Sequence, residues 1–511
     1  MKTLIQNKFI ISVGLSILTM VLLPTSCKDF MDIPPQGQIS EEEIKNNPNA
    51  AFDLVNGVYN TMWLGGFDPD VHGFQYVVLT TIASDDANKG STPGDFGPSL
   101  DVDNFTLNAD NFCVDRIWSG YYLAISRANQ ALSKLPLSPL DDATKNRLIG
   151  EVRFLRGYFY FNLVRFFGGV PKITIVPKPE EANNDEFQTR ASVDDIYSLI
   201  IEDLTFAADN LPLKGATEPG KATKGAAQSM LAKVYLYQQN WTKVIELTQT
   251  VISGASGAYD LVSNYELIWR QNAINGDGGN NNIESIFEVQ TGRNTKCDGA
   301  INLYSNCQGP RQGGKGGWQD LGFGFVEPTE DLVNAYEADD VRKNATIIFI
   351  TPTGTRLWDG FRIPSQDSVE NKRYNYKAYH SRTLEAFCGN NDRLPKNLRV
   401  MRFAEVLLMH AEASLHAGSA GEALTDINRI RERAKLTPLT VVTLDDVYKE
   451  RRLELAMEHD RFFDIVRLGI AGPLLRAQGK SFVDGKNELF PIPNSQRRLS
   501  NNRLTQNPGY N

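Results

Sequence analysis

Between residues 115 and 253 apolar side chains return every three or four positions, the spacing that lines one face of an α-helix. Residues 115–135 are predicted as a helix with Ile117, Tyr121, Ile125, Ala128, Leu132 and Leu135 on one face. Residues 141–167 form a second, carrying Leu148, Val152, Leu155 and Phe159, and Gly168-Gly169-Val170-Pro171 stops it. Ser192, with Asp195 three residues on, opens a third that runs to Asn210 before Pro212. Thr223 caps a fourth, and residues 241–253 make a fifth after a turn at Asn240. Residues 49–63 read as a shorter helix. The same period resumes at 399–417, then from Ser419 (Ser419-x-x-Glu422) to 434, then from Thr443-x-x-Asp446. Helices in tandem, with short turns and small residues such as Ala226, Ala227 and Ala232 at contact positions, predict a mainly α fold of tetratricopeptide-like hairpins. No clean internal repeat accompanies it.

The period is lost elsewhere. Residues 64–112 are rich in Gly and Asp. Residues 254–396 hold only short strand-like runs, 285–289 and 346–350, within polar Gly/Asn-rich chain. A stretch this long without regular structure is unusual as mere connection, and loops on a rigid frame are where binding usually sits. The expectation is therefore a helical scaffold, mainly 115–253 and 399–478, beside a large irregular ligand-binding region, mainly 64–112 and 254–396. The tail from 481 to 511 reads as extended chain laid over the core.

One helical stretch breaks the usual amphipathic rule. In residues 450–469 a stripe of Arg451, Glu454, Glu458 and Arg461 is flanked by Tyr448, Leu455, Phe462 and Val466 on one side and by Leu453 and Met457 on the other. Charges hemmed in by apolar residues should be half buried and paired, which fixes orientation more than it adds stability. The alternative is an acid/base cluster.

The start of the chain is an address. Lys2 and Lys8 precede an apolar run from Phe9 to Leu23 that is too short for a comfortable membrane span. The run ends in Leu23-Pro24-Thr25-Ser26-Cys27, which resembles a bacterial lipobox with Pro24 as a departure. Residues 1–26 are thus a signal peptide, Cys27 is the expected lipid attachment site, and residues 27–511 form one domain. Lys28-Asp29 resembles the charged export tag of surface lipoproteins in Bacteroidetes-type bacteria. A net charge of −8 with no basic block argues against nucleic acid. Beyond Cys27 only Cys113, Cys297, Cys307 and Cys388 occur, in no zinc spacing. Cys297 and Cys307 are near enough in sequence to close a short loop, and sequence alone does not decide whether they are bonded.

Candidate chemistry is sparse. Gly309-Pro310-Arg311-Gln312-Gly313-Gly314-Lys315-Gly316 nearly spells a phosphate-binding loop, but Gly316 replaces the hydroxyl residue and no apolar strand precedes it. His410, Glu412 and His416 do not share one helix face, so no metal is expected, and no cofactor either. No nucleophile turn or singled-out carboxylate pair is present. What remains is aromatic. Trp269, Trp318, Trp358, Tyr304, Tyr374 and Tyr376 lie in the central region, and Trp63, Phe74 and Phe96 in the early loops. Aromatic faces bordered by Asn, Asp and Arg suit sugar rings, whose C–H faces stack while amides and carboxylates take the hydroxyls. Trp269, Trp318, Trp358, Tyr304, Tyr374 and Phe96 are the candidate ligand contacts.

An ordered set of segments resembles the SusD/RagB family of outer-membrane nutrient-binding lipoproteins. They are Cys27-Lys28-Asp29-Phe30-Met31-Asp32-Ile33-Pro34-Pro35, Arg153-x-x-Arg156-Gly157-Tyr158-Phe159-Tyr160-Phe161-x-Leu163, Phe167-Gly168-Gly169-Val170-Pro171 and Thr223-Lys224-Gly225-Ala226-Ala227. Leu231-Ala232-x-Val234-Tyr235-Leu236, the run from Arg402 to Ala413, Arg429-Ile430-Arg431-Glu432-Arg433-Ala434, residues 450–469, Phe490-Pro491-Ile492-Pro493 and Gln506-Asn507-Pro508-Gly509-Tyr510 follow. The resemblance implies four helical hairpins cradling an irregular ligand-binding half. It implies a SusC-like TonB-dependent transporter as partner, an outer-membrane lipid anchor facing the exterior, and capture of oligosaccharides, or peptides in the RagB branch, without chemistry. Only Cys27 carries over as a functional residue. The other readings are a scaffold that holds the transporter with little ligand affinity of its own, and a surface hydrolase.

Overall fold

A computed structural model of the chain describes residues 39–292, 299–311 and 322–510. Its longer helices are α1 (Pro48–Tyr59), α2 (Phe112–Lys134), α3 (Asp142–Phe167), α4 (Val193–Asn210), α5 (Lys224–Tyr237), α6 (Trp241–Ile252), α7 (Phe403–His416), α8 (Ala420–Arg433), α9 (Leu444–Leu455) and α10 (Arg461–Arg467). Local chemistry starts most of them. Asn111, Asp141, Ser192, Thr223 and Asn240 each accept a hydrogen bond from a backbone N–H of the first turn, and Thr443 and Asp446 close a reciprocal capping box. Ser419 does not cap α8 as its sequence suggests, and Glu422 accepts from Ser414 Oγ at 3.4 Å.

Each helix packs on the next, α2 on α3, α3 on α4 and so on to α6. After the long excursion α7 docks on α6 and continues the array with α8 and α9. The centre is α3, in which almost every residue from Gly150 to Phe167 is buried. A helix wrapped on all sides has no polar face, which is why its period is weaker than that of its neighbours. Arg156 fixes its angle. Its Nε and one terminal amine donate to both oxygens of Asp203 on α4 at 2.7 and 2.9 Å, and its other amine donates to Asn129 Oδ1 on α2 at 2.9 Å. One side chain thus ties three layers. Gly168, at φ 73°, ends α3 where a side chain would strain the backbone.

Among the described residues, strands form four antiparallel pairs, all but β1 drawn from the excursion and the chain that ends it. They are β1 (Ala87–Gly90) with β3 (Phe325–Pro328), β2 (Ser285–Val289) with β8 (Leu398–Arg402), β4 (Ile347–Phe349) with β7 (Arg373–Asn375), and β5 (Thr355–Arg356) with β6 (Arg362–Ile363). Residues 399–402 were expected to begin a helix. They pair with β2 instead, and Phe403 N donates to Glu284 O at 2.8 Å as the helix starts. One large apolar core runs through the helices, β1–β3 and the tail, and two satellite cores sit in the excursion. Within the early stretch, residues 70–87 are buried almost throughout. The tail covers the end of α3 through Phe490 N to Phe166 O (2.8 Å) and Asn507 Nδ2 to Phe167 O (3.1 Å), and it is extended except for a short helix, Asn494–Leu499.

The 450–469 stretch is a single helix by period and two helices in fact. The backbone breaks after Leu455, with Met457 at φ 65° and His459 at φ 72°. The break turns Glu458 towards Arg402 (2.7 Å) and Lys377 (2.6 Å), and His459 Nδ1 towards Thr81 Oγ1 (2.7 Å). The pairing expected of the stripe is present, but its partners come from other elements. Glu454 meets Arg342 and Arg402 at 3.2 and 3.1 Å and Arg433 at 2.5 Å. Arg451 meets Glu405 and Asp464 at 2.7 Å, and Arg461 meets Asp85 at 2.7 Å.

Candidate functional site

Several of the sequence candidates are packing residues. Trp269 is 5% exposed, in a satellite core with Tyr265 and Ile268, and Lys377 Nζ sits 4.5 Å from its ring centroid. Tyr304 is buried beside His459, its hydroxyl 3.1 Å from Nε2. Tyr374 fills the other satellite core, its hydroxyl accepting from Asn371 N at 3.0 Å, and burial pushes that hydroxyl up to about 12. An aromatic in a loop-rich region serves equally well as the seed of a small core, and sequence does not distinguish the two. Trp63 is half buried with Nε1 donating to Gln290 O at 2.5 Å, and Phe74 belongs to the main core. Trp318 lies outside the described residues, as do Cys27, Cys297 and residues 312–316 of the glycine-rich run. Cys307 is a free buried thiol, so it is not bonded to Cys297, and Cys388 is disulfide-bonded. His410, Glu412 and His416 go three ways: to Asp426 (2.5 Å), to Arg467 (2.6 Å), and flat against the Trp241 ring (4.0 Å between centroids).

Phe96 is different. It lies half buried in the Ser91–Gly97 loop after β1, at φ 41°. Its ring is 5.8 Å from those of both Phe67 and Phe112, and 5.2 Å from Phe74, which rests on Phe325 of β3 at 4.6 Å. Phe67 stands above this base and is 56% exposed, a large value for so apolar a ring. The cluster therefore grades from core to surface, with Phe74 and Phe325 as foundation and Phe67, Phe96 and Phe112 as the outward layer.

Both loops that carry the outer rings are pinned from below. Asp70 accepts from Gly73 N and Gln75 N at 2.8 and 2.9 Å, and Gln75 Nε2 donates to Gly66 O at 2.6 Å beside Phe67. Burial pushes the Asp70 carboxyl up to about 7 against these bonds. Lys89 Nζ donates to Thr92 O at 2.7 Å and holds the start of the Phe96 loop, its ammonium pulled below the ordinary lysine range by burial. The polar border is Asp95, Ser91 and Arg311. Ser91 Oγ donates to Asp95 at 2.6 Å and accepts from Arg311 at 2.7 Å, and Arg311 also pairs with Asp95. Arg116 lies over the Phe112 ring at 4.7 Å. Pre-set rings edged by a carboxylate, a hydroxyl and a guanidinium offer stacking and hydrogen bonding to a flat polyol.

Phe67 and Phe112 were not singled out by sequence. The signal for Phe67 was there: Gly65-Gly66-Phe67-Asp68-Pro69 sets a bulky ring among turn residues, as Pro93-Gly94-Asp95-Phe96-Gly97-Pro98 does for Phe96. Phe112 opens α2 and looks like any helix residue.

Comparison with known proteins places the chain. The model of the SusD family matches residues 283–510, and a second, described as starch-binding associating with outer membrane, matches residues 84–236. A SusD-like protein of Bacteroides ovatus is 28% identical over 488 residues, 88% of this chain and 81% of that protein. SusD-like protein P2 of Formosa agariphila is 27% identical over 518 residues, covering 97% and 99% of the two chains. A solved laminarin-binding SusD-like protein superposes with a TM-score of 0.75 at 30% identity, over 90% of this chain and 99% of the other. With that much of both chains aligned on one helical frame, this protein belongs to the SusD family.

Proposed function

We propose that the protein captures oligosaccharide or polysaccharide at the cell surface, and that the Phe67–Phe96–Phe112 cluster is where it stacks the sugar rings. The single observation behind this reading is the exposed, pre-positioned Phe67 ring on that cluster, bordered by Asp95, Ser91 and Arg311. The relative of 30% identity that binds laminarin, and the starch-binding description of the family model that covers Phe96 and Phe112, support it. Binding proceeds without chemistry and feeds a SusC-like TonB-dependent transporter in the outer membrane. Cys27 carries the lipid anchor that keeps the protein there, and the described residues contain no helix long and apolar enough to cross a membrane.

Isothermal titration of the mature protein against laminarin, starch and a panel of other soluble glycans tests the reading. Phe67→Ala should weaken binding of the preferred glycan by roughly tenfold, the loss of one aromatic contact of about 1–1.5 kcal/mol. Absence of binding to every glycan, with clear binding to peptides, would overturn it.

A further inference from the structure

A second aromatic surface lies apart from the phenylalanine cluster. Trp358 sits in the turn that joins β5 to β6, held by its backbone N, which donates to Tyr376 Oη at 2.9 Å. The Arg270 guanidinium lies over the Trp358 ring at 4.0 Å and is itself paired with Glu266, so the local charge is balanced. Trp358, Tyr376 and Tyr265 line a cleft of about 550 Å³, within the ~300–1,000 Å³ typical of small-ligand sites. Asn264, Asn344 and Arg356 stand exposed on its rim.

Two features give the cleft a ligand chemistry. Its walls are aromatic and aliphatic, with Val341 and Leu357 beside the rings, while its rim offers amides, a guanidinium and the Glu266 carboxylate, an arrangement that accepts a flat C–H face with hydroxyls at its edge. In addition, Trp358 Nε1 is buried without an acceptor among the described residues, which is uncommon for an indole in a folded protein. A neutral polyol supplies acceptor oxygens and needs no counter-charge.

A chain of contacts through Arg311 connects the phenylalanine cluster with the core beneath the cleft. Arg311 pairs with Asp95 beside Phe96, and its backbone oxygen accepts from Tyr374 Oη at 3.4 Å. Tyr374 shares its satellite core with Trp358 and Tyr376.

We propose that the Trp358–Tyr376 cleft is a second saccharide site, which takes a further pyranose unit of the glycan held at the phenylalanine cluster. The proposal rests on the glycan-capture reading above and adds valency to it. Two sites on one protein bind a long chain more tightly than either alone, because the second contact forms at a high effective concentration. A short oligosaccharide instead fills the two sites independently.

Titration calorimetry with laminarin and laminaritriose, and in parallel with starch and maltotriose, tests this on the mature protein. The variants are Trp358→Ala, Asn344→Arg and Phe67→Ala. Asn344 is an exposed rim residue, so its arginine replacement blocks the cleft without touching a core. The trisaccharide of the preferred glycan should bind wild type at two sites per protein, and the Asn344→Arg variant at one. Affinity for the parent polysaccharide should fall about tenfold or more in both cleft variants. One site in wild type that Phe67→Ala weakens about tenfold and Asn344→Arg leaves intact would overturn the second site alone. Where neither pair binds, the glycan preferred in the panel replaces them, and failure of wild type to bind any glycan of that panel would overturn it together with the capture reading.

Discussion

Glu454→Ala is the sharpest test of how the frame is held. The carboxylate is fully buried and meets Arg342, Arg402 and Arg433 within 3.2 Å. Around it Arg342, Arg402, Arg431, Arg433, Lys377 and Lys449 face Asp340, Glu284, Glu337, Glu450, Glu454 and Glu458, one carboxylate for each cation. Removing Glu454 leaves an uncompensated buried cation, and breaking a buried pair in this way costs about 3–5 kcal/mol. Unfolding entropy of about 2.1 cal/mol/K per residue gives roughly 1 kcal/mol/K for a chain of this length, so the melting temperature should fall by about 3–5 °C. Acid adds a second readout. Burial alone would raise the Glu454 carboxyl, but the three guanidiniums overcome it and hold it well below the ordinary carboxylate range. A carboxyl depressed in the folded state contributes stability above its unfolded pKa, near 4.3, and loses it as pH falls towards the folded value. Wild type should therefore lose more stability than the variant below about pH 4. Scanning calorimetry of both proteins at pH 7 and at pH 3.5 measures this. A shift under about 1 °C at pH 7, with parallel acid profiles, would show that the cluster is solvated and the reasoning wrong.

Three other outcomes follow from single contacts. Gly120→Ala would place a Cβ 2.1 Å from the Asp70 backbone oxygen, beside the loop that carries Phe67, so thermal stability should drop by about 1–3 kcal/mol or the protein should fail to fold solubly. Lys396 donates to the carbonyls of Trp269 and Tyr379, and burial pulls its ammonium down to about 7. The unfolded chain keeps that proton to about pH 10.4, so wild-type stability should rise between pH 7 and 10, and Lys396→Met should lessen the rise in melting scans. Cys27→Ala should move the protein from the membrane fraction to the soluble fraction on immunoblotting, because a multiply acylated cysteine is a lasting anchor.

Helix positions were legible because their determinants are local. The 3.6 period, Asp141, Ser192, Thr223 and the Thr443–Asp446 box all act within a turn or two. The break after Leu455 was not legible, since its partners Arg402, Lys377 and Thr81 are distant in sequence and nothing in the local period marks them. The same is true of Arg399–Arg402, whose strand exists only because β2 lies alongside. Of the loop aromatics that sequence offers as candidates, Phe96 stands in a cluster that reaches the surface, whereas Trp269 and Tyr374 have loop neighbours in sequence and core neighbours in space. Whether an aromatic faces inward depends on tertiary packing, so residue type and loop context narrow the candidates without choosing among them.

The distribution of buried charge explains how such a frame carries a surface built on loops. Arg342 and Lys377 come from the irregular excursion, as do Glu284 and Asp340, and Asp85 comes from the segment just before the Phe96 loop. Arg342, Lys377 and Asp85 close on α9, the break or the start of α10, while Glu284 closes on Arg402 and on Arg433 of α8, and Asp340 braces Arg342. The stretch 450–461 is thus the junction at which the loop-bearing half is fastened to the helical array. Directional pairs set the angle of that junction more than they strengthen it, whereas an apolar seam of similar area would tolerate sliding. With the strand ends fixed, the loops between them are free to differ in length and sequence without loosening their own bases. Phe67 and Phe96 stand on such bases, pinned by Asp70 and Lys89, and Trp358 stands on the β5–β6 turn. Substitutions in the charged junction should therefore change how much folded protein there is, while substitutions in the rings should change what it holds. A Glu454→Ala protein that melts early yet keeps the wild-type order of glycan preference would show that the two tasks reside in separate residues.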